Sequence, residues 1–300
     1  MRCPWPGERQ RTRRNDLFRR RGIFRAAAIF ERRRKETMTR FYSLASSSSG
    51  NCSVFQGGGR TLLIDGGTNT KYIRNALSQL GIALGDITDV LITHTHSDHI
   101  SALPVLTKHC QAPIHATAPT VEGLKAKCAH DQLEAVEPDT PFWLGEVRIT
   151  PFLTPHDCPG SCGFLLETQE GKLGYCTDLG HLPDSVFETL RGAETVFLES
   201  NHDVYQLKNG EYPYYLKQRI LSPQGHLSND DAAQAVAEWG KYGLQKVILA
   251  HLSEHNNRPE WALEETERAL RLAGLREQVQ VAVAPHKAPL SLTGKGRAAG

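Results

Sequence analysis

Three histidines and one aspartate fall within six residues, His94-Thr95-His96-Ser97-Asp98-His99, directly after the apolar run Val90-Leu91-Ile92-Thr93. In an extended segment residues i and i+2 point to the same side. His94 and His96 can therefore grip one cation from the end of a strand. Asp98 and His99 fall where the chain turns into a helix, so they point elsewhere, as ligands for a second cation. Imidazole with carboxylate suits zinc, manganese or iron rather than calcium. A solvated histidine-rich loop is the bland alternative.

One cluster cannot complete two metal shells, and the missing ligands should lie at the ends of other strands. His156 follows Ile149–Thr154, Asp178 follows Tyr175-Cys176-Thr177, and His251 follows Val247-Ile248-Leu249-Ala250. Taken singly, each reads as a surface histidine or a turn aspartate. Taken together, in this order after the cluster, they are the expected remainder.

The elements that must position these residues alternate. Strands are expected at Phe41–Leu44, Cys52–Gln56, Thr61–Asp65, Asp89–Thr93, Pro113–Ala116, Val147–Phe152, Gly163–Thr168, Lys172–Thr177, Thr195–Glu199, Lys246–Ala250 and Val279–Val283, from apolar runs bounded by turn residues. Helical spacing marks Thr68–Leu80, Ile100–Cys110, Thr120–Ala129, Pro183–Leu190 and Glu260–Ala273. A helix from Ser228 to Gly240 opens with a Ser-x-x-Asp231 capping box. Residues 200–225 read as irregular, and 285–300 as a polar, frayed tail. Periodicity alone gives a mixed α/β class.

Hydrophobic residues are 39% and charged residues 23% of the 300, which describes an ordinary globular chain. The longest apolar runs are far short of a bilayer span, which excludes a membrane-embedded enzyme. The net charge of +2 hides two opposed parts. Residues 1–37 hold thirteen bases and four acids; the rest holds 22 bases and 29 acids. The basic balance thus belongs to an N-terminal extension and does not make the body a basic nucleic-acid binder. The extension lacks the uninterrupted apolar core of an export signal. It reads as a disordered stretch ahead of a start at Met38; a basic arm that adheres to nucleic acid is the functional rival. Three domains follow: residues 1–37, a folded body over 38–284, and the tail 285–300. Seven cysteines show no CxxC pairs, so free thiols and a cytoplasmic location are expected.

The ordered set of motifs resembles the metallo-β-lactamase-fold hydrolases over residues 40–284. The resemblance implies a four-layer αββα sandwich. It assigns His94, His96 and His156 to one metal and Asp98, His99 and His251 to the other. Asp178 bridges them together with a water or hydroxide, the expected attacking group. Asp65, in Leu63-Ile64-Asp65-Gly66-Gly67, matches the family's first motif and would fix a ligand imidazole from behind. The cofactors implied are two divalent transition-metal ions, zinc or manganese, with iron as a third candidate. Ser46–Cys52, Leu198–Asp203, Gly225–Asn229 and Leu249–Ser253 closely resemble the YycJ (WalJ) subfamily, which is linked to 5′-to-3′ DNA exonuclease activity.

The strand-end glutamate and the histidine before a helix are also similar to those of tRNA 3′-processing ribonuclease Z. That similarity makes His226 a proton donor to a leaving oxygen, with Glu199 orienting it. Ser48, Ser49 and Asn51 offer hydroxyl and amide groups to a substrate phosphate, or form a serine-rich turn. His202 either contacts phosphate or closes a turn with Asp203. Lys208, Lys217 and Arg219 could form a basic rim, with Tyr212, Tyr214 and Tyr215 as stacking candidates.

The function expected is a dinuclear metal phosphodiesterase that cuts nucleic acid, DNA before RNA. Two rival readings are a phosphodiesterase for small or cyclic phosphate esters and a non-catalytic regulator that kept the fold. The complete ligand set argues against the last.

Overall fold

Successive side chains of a strand point to opposite faces of its sheet. In the run Leu62-Leu63-Ile64, Leu62 and Ile64 pack with Phe41, Phe55, Phe164 and Phe197. Leu63, between them, packs with Ile73, Leu77 and Leu103. In Val196-Phe197-Leu198 the outer residues pack with Val236, Trp239 and Leu270. Unbroken apolar runs of this kind are strands buried on both faces, so each sheet must have the other sheet on one side and helices on the other.

The computed structural model describes residues 39–293 and shows that arrangement. The first sheet contains β1 (Arg40–Ala45), β2 (Cys52–Gly57), β3 (Arg60–Ile64), β4 (Asp89–Leu91), β5 (Ile114–Thr117) and β6 (Leu133–Val136). The second contains β7 (Phe142–Leu144), β8 (Val147–Leu153), β9 (Cys162–Thr168), β10 (Gly171–Cys176), β11 (Thr195–Glu199), β12 (Lys246–Ala250) and β13 (Gln280–Val283). β14 (Leu290–Thr293) returns to the first sheet and pairs antiparallel with β1. Strand orders are β14-β1-β2-β3-β4-β5-β6 and β13-β12-β11-β10-β9-β8-β7. Outside the first sheet lie α1 (Thr70–Gln79), α2 (Ser97–Ile100), α3 (Leu103–Leu106) and α4 (Ala118–Lys125). The chain continues with α5 (Asp184–Leu190), α6 (Val204–Asn209), α7 (Tyr214–Ile220), α8 (Asn229–Gly240) and α9 (Pro259–Leu272). Of these, α5, α8 and α9 cover the second sheet. The four-layer αββα order is as expected.

Several elements differ from the sequence reading. The helix expected over Ile100–Cys110 begins earlier, at Ser97, and breaks at Ser101-Ala102. There the Ala102 amide donates to Gly66 O (2.8 Å) and the Ser101 hydroxyl to Gly67 O (2.8 Å). Pro104 lacks an amide to continue the ladder. Residues 200–225 are not irregular: they hold α6, capped by Asp203 Oδ1 accepting from Gln206 N (2.8 Å), and α7, opened by Pro213. Gly210 and Pro213 are the boundaries of these two short helices. β6 and β7 escaped the sequence reading because they are edge strands of four and three residues, too short to show a period of two. The tail 285–300 is in part structural, since β14 lies within it; its last seven residues fall outside the described ones. So do residues 1–37 and the start expected at Met38. The Ser228 cap is half a capping box. Ser228 Oγ accepts from Asp231 N (3.1 Å), but Asp231 Oδ2 takes the serine hydroxyl proton (2.7 Å) rather than a backbone amide. Among the described residues no helix is long and apolar enough to cross a membrane.

Gly67 locks the first sheet to the histidine cluster. A Cβ built there would lie 1.4 Å from Asp98 O and 2.1 Å from Asp98 C. Both clashes are with backbone, so the Asp98–His99 turn would have to move. Gly67→Ala should cost about 3 kcal/mol or more and weaken metal binding as well. Thermal melting with a metal titration checks this; an unchanged melting temperature would contradict the close approach.

Candidate metal centre

The residues expected in the centre lie in connections that follow strands, Asp98 and His99 within α2 and the others in loops, and three of them leave the strand through a left-handed backbone. Asp65 (φ 59°) follows β3, Asp178 (φ 62°) follows β10 and His251 (φ 53°) follows β12. Such conformations cost a non-glycine residue of order 1–3 kcal/mol each, though Asp and His tolerate them better than branched residues. Each turns the chain sharply, so the side chain points across the strand ends. β3 and β4 are parallel, as are β10, β11 and β12. The carboxyl ends of both sheets therefore converge on one place.

His94, His96 and His156 offer ligand atoms that all lie within 4.8 Å of one another. His156 Nε2 and His96 Nδ1 are 3.2 Å apart, close to the separation of about 3.3 Å set by tetrahedral zinc with nitrogens at 2.0–2.1 Å. The outward nitrogen of each ring is engaged. His94 Nδ1 lies 3.0 Å from Thr93 Oγ1, His156 Nδ1 donates to Gly225 O (3.1 Å), and His96 Nε2 is 3.5 Å from Asp157 Oδ1. Asp157 is held in turn by Arg219 Nε at 2.5 Å. The inward Nε2 of His94 is buried without a protein partner. Burial and the neighbouring His99, His156 and His96 hold His94 well below the usual histidine range, which keeps the imidazole in the neutral form a metal requires.

The second group is richer in carboxylate. Asp98 Oδ2 lies 3.4 Å from both His99 Nε2 and His251 Nε2. Asp178 reaches both groups: Oδ2 is 3.2 Å from His99 Nε2, and Oδ1 is 3.5 Å from His251 Nε2 and 3.8 Å from His156 Nε2. Asp178 Oδ2 is buried with no hydrogen bond. Asp65 Oδ2 accepts from His99 Nδ1 at 2.8 Å and from Thr93 Oγ1 at 3.0 Å, while its Oδ1 accepts from Thr93 N at 2.9 Å, so Asp65 holds the His99 ring from behind. Burial pushes His251 down, but Asp178, Asp98 and Glu199 outweigh it, and its pKa is pushed up to about 10. His99 rises for the same reason through Asp178, Asp65 and Asp98. Four carboxylates thus favour positive charge at this end of the site.

Glu199 holds two histidines. Its Oε1 accepts from His226 Nδ1 (2.8 Å) and His251 Nδ1 (2.9 Å), and its Oε2 from the amides of Leu179 and Leu227 (both 3.1 Å). Burial raises its carboxyl, but His226 and His251 outweigh that and hold it below the usual range. The His226 ring lies nearly parallel to that of His251, with centroids 5.3 Å apart at 19°. Its side chain is partly open to solvent.

The remaining expected contacts divide. Asn51 is buried, with Nδ2 3.0 Å from His99 Nε2 and 3.3 Å from Asp98 Oδ2, so it sits against the ligands rather than on the rim. Ser48 and Ser49 are exposed, and Ser49 Oγ donates to Glu254 Oε1 (2.6 Å). The main chain of His202 forms neither expected contact but a parallel bridge with Ser228, its carbonyl accepting from Asn229 N (2.9 Å), while its ring is buried with neither nitrogen partnered. Burial brings that ring's pKa down to about 4, so it offers no positive charge to a phosphate. Lys217 Nζ bonds the carbonyls of Lys208 and Gly210. Asp157 and Thr93 went unassigned in the sequence; the position of Asp157 directly after His156 was its one available signal. Six cysteines are free and buried among the described residues.

Asp65→Asn keeps an acceptor near His99 Nδ1 but removes the charge. Metal affinity should fall about 10- to 100-fold, the usual loss for a residue supporting a ligand. Competition with a chromogenic chelator measures it; an unchanged affinity would reduce Asp65 to a turn former.

The family model for the beta-lactamase superfamily domain matches residues 60–252. The chain is 34% identical over 225 residues to exodeoxyribonuclease YycJ of Bacillus anthracis, covering 74% of this chain and 85% of that protein. It is 33% identical over 224 residues to exodeoxyribonuclease WalJ of Streptococcus pneumoniae, covering 73% and 83%. The metallo-β-lactamase fold protein YhfI of Bacillus subtilis superposes with a TM-score of 0.65 at 18% identity, over 85% of this chain and all of YhfI.

Proposed function

This chain belongs to the beta-lactamase superfamily, in the company of the YycJ and WalJ exodeoxyribonucleases, and on that premise we propose that it is a dinuclear metal-dependent phosphodiesterase that degrades DNA from an end. The observation that carries the reading is a continuous cluster of donors in four overlapping groups, with Asp178 within 3.8 Å of ring nitrogens of His99, His251 and His156. Asp65, Asp98, Asp178 and Glu199 bring four negative charges, the number that two divalent ions would balance. His94, His96 and His156 would hold one ion, Asp98, His99 and His251 the other, with Asp178 between. Zinc or manganese suits this nitrogen-and-carboxylate set. When bound, such ions polarise a phosphoryl oxygen and lower the pKa of water.

The protein's own groups supply orientation and a proton. Glu199, fixed by two backbone amides, accepts the Nδ1 proton of His226 and leaves Nε2 as the nitrogen that faces outward. A second proton at Nε2, stabilised by the ionised Glu199, can pass to the departing sugar oxygen. Phosphodiesters need that proton because an alkoxide is a poor leaving group, whereas an amine- or thiolate-releasing hydrolase would need it less. The buried thiols and the relatives' DNA substrates fit a cytoplasmic setting.

The test is turnover of metal-loaded protein on end-labelled single- and double-stranded DNA, RNA and bis-p-nitrophenyl phosphate. Stepwise shortening of DNA is the expected result. Cleavage of the small ester alone would favour small or cyclic phosphodiesters instead, and no turnover of any substrate would leave a regulator.

A further inference from the structure

The acidic body makes phosphate neutralisation a weak source of affinity, so a substrate strand must be held by local contacts. α7 carries such a contact face. Tyr215 and Arg219 are four residues apart, which puts them on one side of the helix, about 6 Å apart along its axis. Arg219 Nε binds Asp157, and Asp157 Oδ1 lies 3.5 Å from Nε2 of both His96 and His156. That face of α7 is therefore pinned beside the first ligand group. The chain past α7 returns to the same place, with His226 N donating to Ile220 O (3.0 Å) and Gly225 O accepting from His156. Ile220 faces the interior, and Lys217 is turned the other way, onto the carbonyls of Lys208 and Gly210.

Tyr215 is 74% exposed, and none of the close ring pairs or side-chain hydrogen bonds of the described residues involves it. Arg219 uses Nε for Asp157 and keeps half of its side chain in solvent. Rings spread in solvent beside a phosphodiester site are the means by which proteins hold unpaired bases, since every base offers a π-face. We propose that Tyr215 is a stacking platform for an unpaired nucleobase at a DNA end, with the free guanidinium nitrogens of Arg219 on the phosphate between that base and the cleaved bond. Stacked nucleotides advance about 3.4 Å, so the spacing of Tyr215 and Arg219 places the stacked base one to two nucleotides from the phosphate that Arg219 holds. This rests on the nuclease reading above. The occupant is single-stranded because a paired base hides its face within the duplex stack.

The experiment uses metal-loaded protein and a single-stranded oligonucleotide with uncleavable phosphorothioate terminal linkages and 2-aminopurine two or three nucleotides from one end, each end in turn. Wild-type protein should quench the fluorophore on binding. Tyr215→Leu should abolish the quench and raise Kd about 5- to 150-fold, the range of single aromatic platforms. Tyr215→Phe should restore both, because the ring is kept. Tyr242→Leu, an exposed tyrosine under Arg191, should behave as wild type. Equal binding and quenching by Tyr215→Leu would overturn the proposal, as would equal losses in the Leu and Phe variants. If wild-type protein degrades DNA and Tyr215→Leu binds normally, stacking alone fails. If wild-type protein neither binds nor cuts DNA while hydrolysing bis-p-nitrophenyl phosphate, the nuclease reading falls and takes this proposal with it.

Discussion

Asp178→Ala should lose at least one metal ion per chain and lower turnover by about 1,000-fold or more, equivalent to about 4 kcal/mol of transition-state stabilisation. No other carboxylate in the centre lies near ligand nitrogens of both groups, at 3.2 Å from His99, 3.5 Å from His251 and 3.8 Å from His156. Its Oδ2 is buried without a hydrogen bond, with only the His99 ring nitrogen near it at 3.2 Å, an arrangement that is costly unless a cation satisfies it. Removing it leaves three carboxylates to face two divalent charges. The substitution also acts on the backbone, because alanine at φ 62° is strained by roughly 1–2 kcal/mol. Asp178→Asn separates the two effects. Asparagine tolerates the left-handed region, so it should keep the fold and still lose metal. Elemental analysis of both variants after equilibration with excess metal gives the answer. Full stoichiometry in Asp178→Asn would show that the shared carboxylate does not bind the ions.

His226→Ala should retain fold and metal yet lose about 100- to 10,000-fold in turnover on DNA, the usual range for a positioned acid. His226 Nδ1 lies 3.8 Å from Asp178 Oδ1, in one donor group with Glu199 and His251, but it is committed to Glu199 Oε1 at 2.8 Å, which makes it a proton carrier rather than a ligand on the reading proposed. Leaving-group dependence separates acid catalysis from phosphate binding. With bis-p-nitrophenyl phosphate the nitrophenolate departs without a proton, and the loss should shrink sharply. Equal losses on both substrates would make His226 a phosphate contact, and loss of metal would make it a ligand. Glu199→Gln is the poorer experiment, because it disturbs His251 together with His226. The pH profile follows from the sign of the Glu199 shift. Its folded value is depressed, so its hold on His226 is complete above the ordinary carboxylate range and is lost only as pH falls through that lower value. Activity that declines between pH 7 and 5 would therefore report another group than Glu199.

The candidate metal ligands were legible in the chain because strand geometry is local. His94 and His96 two apart, and His156, Asp178 and His251 each just past an apolar run, follow from the period of two and from where strands stop. The four layers were not legible in this way: periodicity gave only a mixed α/β class, and the layer order came from the resemblance that the motifs carry. What spacing could not show was which long-range partner each polar atom takes. Glu199 pairs with His251 across 52 residues, Arg219 with Asp157 across 62, and the Asn51 amide turns toward His99 rather than outward. The same holds for β14, a polar stretch made into a strand by the open edge of β1, and for the helix broken at Ala102, whose amide found Gly66 instead of its own helix. A residue's type and its distance from a strand end are properties of the chain. Which buried donor meets which acceptor is decided only when two sheets close against each other and every polar group must find a partner away from water.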